Sequence, residues 1–144
     1  MIELGYAAGF FDGEGCVSVT RIRKRWNTRS DYHQLFASAS GVDDRPIILF
    51  HESFGGRLTY MKRTEPRHRN YWRWDVCSNE ALRFLETLLP RLVVKYEVSK
   101  LGIELQKTYI GYDRWHPPPP EILAYRQRIF LDMRKLTNRK VEYR

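Results

Sequence analysis

Four stretches of the chain alternate apolar and polar residues, the spacing of strands that bury one face and expose the other. In the first stretch, Val17 and Val19 alternate with Ser18 and Thr20. Polar segments, WNTRSD at 26–31 and TEPRHRN at 64–70, connect the strands of each pair. The predicted strands are CVSVTRIRK at 16–24, HQLFASAS at 33–40, RLTYMKR at 57–63 and YWRWDVC at 71–77.

Apolar residues at helical spacing occupy the segments before, between and after these strand pairs. Ser78 or Asn79 should cap the third helix, which should break at or near Pro90, and the prolines at 117–120 form a rigid spacer. The pattern predicts an α+β fold with a four-stranded antiparallel sheet covered by helices on one face. The predicted helices are 3–13, 43–56, 80–92, 93–110 and 121–140.

The composition agrees with a globular chain and adds a strong positive charge. The 144 residues, 42% of them hydrophobic, predict one domain spanning 1–144 with its own core. The net charge of +8 favours a polyanionic partner, either nucleic acid or an anionic membrane surface.

Apolar runs fall short of the roughly 20 residues that a membrane span needs, and Cys16 and Cys77 suggest two reduced thiols. We therefore expect a soluble, intracellular protein and no membrane partner.

The polar face of the predicted sheet has the donors and acceptors that reading base edges in DNA requires. An ordinary solvated sheet face is the alternative interpretation. The candidate DNA-binding residues on or beside this face are Ser18, Thr20, Lys24, Gln34, Ser38, Arg57, Thr59, Arg63, Arg73 and Asp75.

The stretch AAGFFDGEG at 7–15 places Asp12 and Glu14 where the first helix should end. Negative charge there opposes the helix dipole, so a bound cation would offset the cost. Gly5, Gly9 and Gly13 are four residues apart, with Ala8 beside them, and leave one helix face almost without side chains. Because this pattern occurs once, the same helix of a second copy is the simplest partner for that face.

AAGFFDGEG resembles the LAGLIDADG motif of homing endonucleases, with Ala7 in place of the first Leu of the motif. The similarity extends to CVSV, FGGRL, LLPRLVVKYE and KLTNRK elsewhere in the chain. It implies an αββαββα fold and a site-specific endonuclease for double-stranded DNA that serves intron homing. It further implies a homodimer that meets through the motif helix and cuts an approximately palindromic target. The expected interface residues are Gly5, Ala8, Gly9 and Asp12.

The resemblance also assigns roles within a catalytic site. Glu14 corresponds to the acid that binds divalent metal, together with the main chain of Gly13, although the family more often has Asp at this position. The metal would be Mg²⁺ or Mn²⁺. Asp12 would orient the helix end, and Lys95 corresponds to the active-site lysine of the family. Ser40 fits a polar active-site position by its place near the end of the second strand, and Arg45 fits a phosphate contact.

Three alternatives to a nuclease of this kind arise from other features of the sequence. A cleavage-inactive nucleic-acid-binding protein on the same fold, such as a maturase or a repressor, would not need Glu14 and Lys95, since an unmetallated carboxylate repels phosphate. The YIG at 109–111 lacks the GIY partner of another nuclease class. A protein-interaction role would explain the glycine face but leaves the basic sheet unexplained.

Overall fold

A computed structural model describes residues 1–24, 26 and 31–137 of the chain. The elements follow the predicted order of a helix, two strands, a helix, two strands and further helices. The helices are α1 (Leu4–Glu14), α2 (Asp44–Phe54), α3 (Ser78–Leu88), α4 (Tyr96–Lys107) and α5 (Pro120–Thr137). The strands are β1 (Gly15–Ile22), β2 (Tyr32–Gly41), β3 (Arg57–Met61) and β4 (Tyr71–Cys77).

The four strands form one antiparallel sheet in the order β1-β2-β4-β3. Gly15 lies opposite Ala39 at the end of β1 that follows α1, and Arg57 lies opposite Asp75 across the β3–β4 pair. This confirms the prediction of an α+β fold with a four-stranded antiparallel sheet.

One face of the sheet carries the hydrophobic core. Leu35 and Ala37 of β2 and Trp74 of β4 are completely buried there. Trp74 donates its indole N–H to the carbonyl of Gly55 at 2.6 Å and packs edge-on against Phe84 of α3, with ring centroids 4.8 Å apart. Because side chains alternate along a strand, the residues between these buried positions point to the opposite, uncovered face of the sheet.

The FGGRL segment has a steric reason for its second glycine. Gly56 has φ +85°, and a Cβ there would lie 2.5 Å from Val76 Cγ1 and 2.6 Å from the carbonyl oxygen of Asp75. A side chain at this position would therefore force β3 away from β4, so Gly56 sets the close approach that begins the second strand pair.

Several predicted details were wrong at the ends of helices. Neither Ser78 nor Asn79 acts as a side-chain cap, because α3 begins at Ser78 itself, with φ +50°, after an N-cap at Cys77. Residues 93–95 and 108–110 are not helical, so α4 spans only Tyr96–Lys107, and the last helix already begins at Pro120, the final residue of the predicted spacer. The break near Pro90 is confirmed by a 3-10 turn at Leu89–Arg91.

Parts of three predictions lie outside the described residues. These are positions 27–30 of the first connection and positions 138–140, which belong both to the last predicted helix and to the KLTNRK similarity. Among the residues that are described, no helix combines the length and the apolar character of a membrane span.

Candidate active site and nucleic-acid interface

Helix α1 contains Asp12 and Glu14 of the motif, and a side-chain cap fixes where this helix begins. The Glu3 carboxylate accepts hydrogen bonds from the main-chain N–H groups of Gly5 and Tyr6 at 2.8 and 2.7 Å. These two bonds favour the ionised carboxylate and lower the pKa of Glu3. A negative cap at this end also complements the helix dipole, whereas the acids at the other end do not.

The glycine face of α1, formed by Gly5, Gly9 and Gly13, lies on the surface of the chain. Apart from the neighbouring residues and the backbone of α1 itself, no described atom comes within 4 Å of a Cβ built at Gly9 or Gly13. Ala8 is different, because it is 1% exposed and packs inside the chain's own core with Phe11. The expectation that Ala8 contributes to the interface is therefore wrong, since its side chain is buried within its own chain.

The carboxylate of Asp12 is held by the turn that precedes α4. Its Oδ2 accepts from the N–H of Val93 at 2.8 Å, and its Oδ1 accepts from the N–H of Lys95 at 3.0 Å. Lys95 in turn donates through Nζ to the main-chain carbonyl of Asp12. This places the ammonium at the C-terminal end of α1, where a cation is stabilised by unpaired carbonyls. Asp12 and Lys95 are thus brought together from opposite halves of the chain.

Glu14 is the last residue of α1, and its side chain is exposed. The following Gly15 lets the chain turn directly into β1, because a Cβ there would lie 2.2 Å from the Phe11 ring. The exposed Glu14 carboxylate and the carbonyls of the last helical turn are oxygen donors, the type that Mg²⁺ and Mn²⁺ prefer. The donor type therefore fits a divalent cation. In the described ranges, no three His, Cys, Asp or Glu side chains come together as a metal cluster.

Ser40 lies on the sheet, whereas Arg45 lies in the first turn of α2 and is paired with an acid. Ser40 lies opposite Arg73 in the β2–β4 pair, on the uncovered face of the sheet. Arg45 donates through Nε to the carboxylate of Asp43 at 3.0 Å, and this bond lowers the pKa of Asp43 to about 2. Asp43 also caps α2 by accepting from the N–H of Arg45. The sequence predicted a helix that starts at Asp43, and in the structure Asp43 is the cap that precedes this helix.

The strand register brings most of the predicted DNA-binding residues to one face of the sheet. Lys24 and Arg63 lie beyond the ends of β1 and β3, and the guanidinium of Arg63 stacks 4.7 Å from the centroid of the Tyr71 ring. By strand alternation and register, the residues that share the uncovered face are Ser18, Thr20, Gln34, Ser38, Arg57, Thr59, Arg73 and Asp75.

Asp75 is the exception to the expected exposure of this face. Only 7% of the residue is accessible, and its Oδ1 lies 3.1 Å from Arg57 Nη2 and 3.6 Å from Arg73 Nε. The prediction that Asp75 is exposed was wrong, because the long side chains of these two arginines cover it.

Comparison with solved structures shows what this architecture is similar to. The chain matches the archaeal intron-encoded homing endonuclease I-Vdi141I complexed with DNA at a TM-score of 0.76 and 20% identity, over 98% of this chain and 86% of that chain. The homing endonuclease I-CvuI in complex with its target gives a TM-score of 0.74 at 19% identity, over 98% and 85% of the two chains. The chain has the fold of the LAGLIDADG homing endonucleases. No protein-family model matches the sequence, and no curated protein matches it significantly.

A third structure with the LAGLIDADG fold relates the chain to a longer protein. The LAGLIDADG homing endonuclease I-SmaMI, bound to cleaved DNA, matches at a TM-score of 0.71 and 13% identity. The match covers 92% of this chain but 44% of the I-SmaMI chain. One copy of this chain therefore spans somewhat less than half of that LAGLIDADG protein.

Proposed function

We propose that the protein is a site-specific endonuclease for double-stranded DNA. The observation that carries the proposal is the exposed Glu14 carboxylate at the end of α1. Lys95 donates its ammonium to the carbonyl of Asp12 in the same last turn of this helix. The similarity in fold to homing endonucleases solved with DNA supports the same assignment.

Binding to DNA would use the uncovered sheet face. A small sheet fits the major groove, and the serine, threonine, glutamine and arginine side chains of this face are suited to base edges. The net charge of +8 supplies attraction to the phosphate backbone that is independent of sequence. Together these features favour long duplex DNA over an anionic membrane surface.

We propose that the active form is a homodimer joined through the glycine face of α1. The open space at Gly9 and Gly13 would let a second α1 approach closely, and two-fold symmetry would place two Glu14 side chains near one axis. The 44% coverage of I-SmaMI supports an arrangement in which two copies form one complete unit. A symmetric dimer would select an approximately palindromic target.

In the proposed reaction, Glu14 and the Gly13 carbonyl would hold Mg²⁺ or Mn²⁺ at the scissile phosphate. Such an ion activates water and stabilises the leaving oxygen of a phosphodiester. Lys95 would turn from the Asp12 carbonyl toward the phosphate and stabilise the negative charge that develops there. Asp12 would hold the 93–95 turn that aims Lys95, while Ser40 and Arg45 would contact the DNA near the cleavage point.

The alternative function is nucleic-acid binding without cleavage, as in a maturase or a repressor. It would use the same sheet face and the same charge, so binding experiments alone do not separate the two functions. The exposed Glu14 favours cleavage, because a binding protein gains nothing from a carboxylate that faces phosphate.

Glu14→Gln tests the cleavage function directly. A duplex target is first selected by binding from a randomised DNA library in EDTA, and its cleavage is then measured in Mg²⁺. We expect the variant to fold normally and to bind this target in EDTA at least as tightly as the wild type, because a repulsive charge has been removed. Cleavage in Mg²⁺ should fall by at least about 100-fold, the scale of removing one charged transition-state group.

Glu52→Gln on the exposed surface of α2 is the matched control, since it removes one carboxylate away from the motif. It should cut at the wild-type rate. Normal cutting by Glu14→Gln would exclude Glu14 from the mechanism, and binding without any cleavage by the wild type would favour the maturase or repressor function.

A further inference from the structure

A nearly buried carboxylate lies between two arginines on the uncovered sheet face. Oδ1 of Asp75 accepts from Nε and Nη2 of Arg57 at 3.3 and 3.1 Å, and it lies 3.6 Å from Nε of Arg73. Arg57 and Asp75 are direct partners across the β3–β4 pair, and Arg73 lies two residues before Asp75 on the same face. We call these three residues the arginine–aspartate cluster.

The order of exposure within the cluster explains how an acid can lie on a surface that faces DNA. The side chain of Asp75 is 8% exposed, that of Arg73 is 43% exposed and that of Arg57 is 71% exposed. The carboxylate therefore lies behind the guanidinium groups. It neutralises one of two neighbouring positive charges, which would otherwise repel each other and separate.

Each guanidinium of the cluster keeps N–H groups that are not bonded to Asp75. Arg57 directs Nε and Nη2 to Asp75, so its Nη1 and the outer N–H of Nη2 remain available. Arg73 directs Nε inward, and among the described residues this buried atom has no hydrogen-bond partner. Nη1 and Nη2 are therefore the donors of Arg73 that are left to meet a ligand.

The neighbouring strands give these N–H groups room to reach a ligand. Ser38 lies opposite Asp75, whereas Ser40 and Thr59 lie on either side of Arg73. All three are short side chains, so the two arginines project above their surroundings. A planar guanidinium fork matches the O6 and N7 acceptors that guanine presents in the major groove.

We propose that Asp75 is a positioning residue that orients Arg57 and Arg73 for the recognition of guanine. This inference rests on the proposed DNA-binding function and adds the base that this part of the sheet would select. A guanidinium held in place before binding loses less conformational freedom in the complex, so discrimination between bases increases. The same two arginines without Asp75 would still attract DNA but would select the base less sharply.

Asp75→Asn separates discrimination from general attraction. The base preference of wild type and variant is measured at every position by selection from randomised duplex DNA in EDTA. The variant should lose about 5- to 150-fold of its preference for guanine at one or two positions, the range expected for bidentate arginine contacts. Its affinity for non-specific duplex DNA should rise and depend more steeply on salt, because a negative charge has been removed from the interface.

Glu65→Gln is the matched control for charge. Glu65 lies in the β3–β4 connection, is 73% exposed and pairs with His68. Its replacement should also raise general affinity for DNA, but the base preference should stay unchanged. A change of preference in this control would show that charge, and not orientation, sets the selectivity.

Arg57→Lys keeps the charge but removes the planar fork, and it tests the inference even where Asp75→Asn fails to fold. It should lose the same guanine preference as Asp75→Asn. The role of the cluster would be overturned if both variants kept the wild-type preference for guanine, or if both lost affinity equally for all DNA sequences. Either result would leave the proposed site-specific DNA binding intact. A wild type that binds DNA without any sequence preference would instead overturn the proposed function.

Discussion

Asp12 and Glu14 are two residues apart in one motif, yet their surroundings give them different tasks. The Asp12 carboxylate is occupied by the N–H groups of Val93 and Lys95, whereas the Glu14 carboxylate is exposed at the end of the helix. Asp12 thus stabilises the folded chain, and Glu14 remains available for a ligand. The helix end tolerates two acids because one of them is satisfied within the protein.

Replacing Asp12 by Ala should affect folding and cleavage together. The two N–H groups would lose charged hydrogen bonds, so we expect the free energy of unfolding to fall by about 2–4 kcal/mol. Cleavage should also slow, because the 93–95 turn would no longer aim the ammonium of Lys95. Urea unfolding and single-turnover cleavage of the selected target measure these two effects.

Lys95→Ala is the comparison for this prediction. It removes the ammonium but keeps the main-chain N–H that binds Asp12, so it should slow cleavage with DNA binding largely kept and a much smaller loss of stability. Equal stability of Asp12→Ala and wild type would show that the contacts of Asp12 do not hold the turn.

The secondary-structure elements differ in how far local sequence determines them. Strand β4 was predicted at its observed bounds because alternation of apolar residues is a local signal. The non-helical turn at 93–95 depends on Asp12, 81 positions earlier for Val93, so no local pattern reveals it. Burial of Asp75 depends in the same way on Arg57 from the neighbouring strand. The sequence thus predicts the elements and their polar faces, while contacts distant in sequence determine the exact site.

A polar cluster joins β2 to α5 and to the turn that follows α4. The main-chain N–H of His33 donates to the hydroxyl of Tyr109 at 3.0 Å, and its ring Nε2 is hydrogen bonded to Gln127 Oε1 at 3.0 Å. The guanidinium of Arg126 lies 3.6 Å from the centroid of the Tyr109 ring and donates to the carbonyl of Thr108. These contacts hold the last helix against the sheet without a carboxylate partner for Arg126 among the described residues.

The burial of His33 should make stability dependent on pH. Burial is the main cause that lowers its pKa, and the positive charges of Arg21 and Arg126 act in the same direction, whereas Gln127 and Asp31 oppose it. The folded chain therefore takes up a proton on His33 at a lower pH than the unfolded chain, in which a histidine does so near pH 6.5. The contribution of neutral His33 to the free energy of unfolding is therefore fully present above pH 6.5. This contribution decreases as the pH falls below 6.5.

Thermal unfolding between pH 8 and pH 5 measures this dependence. His33→Gln should lose stability less steeply than the wild type toward pH 5, because Gln has no ionisable group. His116→Gln is the control, since that histidine is exposed, with a side chain 78% accessible. Identical pH profiles for wild type and His33→Gln would exclude His33 as the source.

The three surfaces proposed to act in cleavage are connected within the fold. The glycine face lies on the outside of α1, Glu14 lies at the end of that helix, and Gly15 leads from it directly into β1 of the sheet. Pairing of two α1 helices would therefore place the sheets of two copies on either side of a shared centre. The distance between the two cutting positions would then depend on how closely the helices approach.

Gly9→Leu should test this coupling between assembly and cleavage. Outside the backbone of α1 and the two neighbours of Gly9, no described atom lies within 4 Å of a Cβ there. The monomer should therefore accommodate the leucine, and helix propensity should improve by roughly 0.5–1 kcal/mol. A branched side chain would nevertheless separate two α1 helices that must approach closely. Light scattering at micromolar concentration should find a dimer for the wild type and a folded monomer for the variant. The variant should also fail to cut both strands of the target.

Ala124→Leu is the matched control, because it adds the same side chain at an exposed position of α5. It should remain dimeric and cut both strands, which separates an effect at the α1 face from the general effect of an extra apolar group. A wild type that stays monomeric with and without DNA would contradict assembly through α1, and so would a Gly9→Leu variant that dimerises normally. If Gly9→Leu still dimerises but no longer cuts, the glycine face would instead be acting on the position of Glu14 within a dimer formed elsewhere.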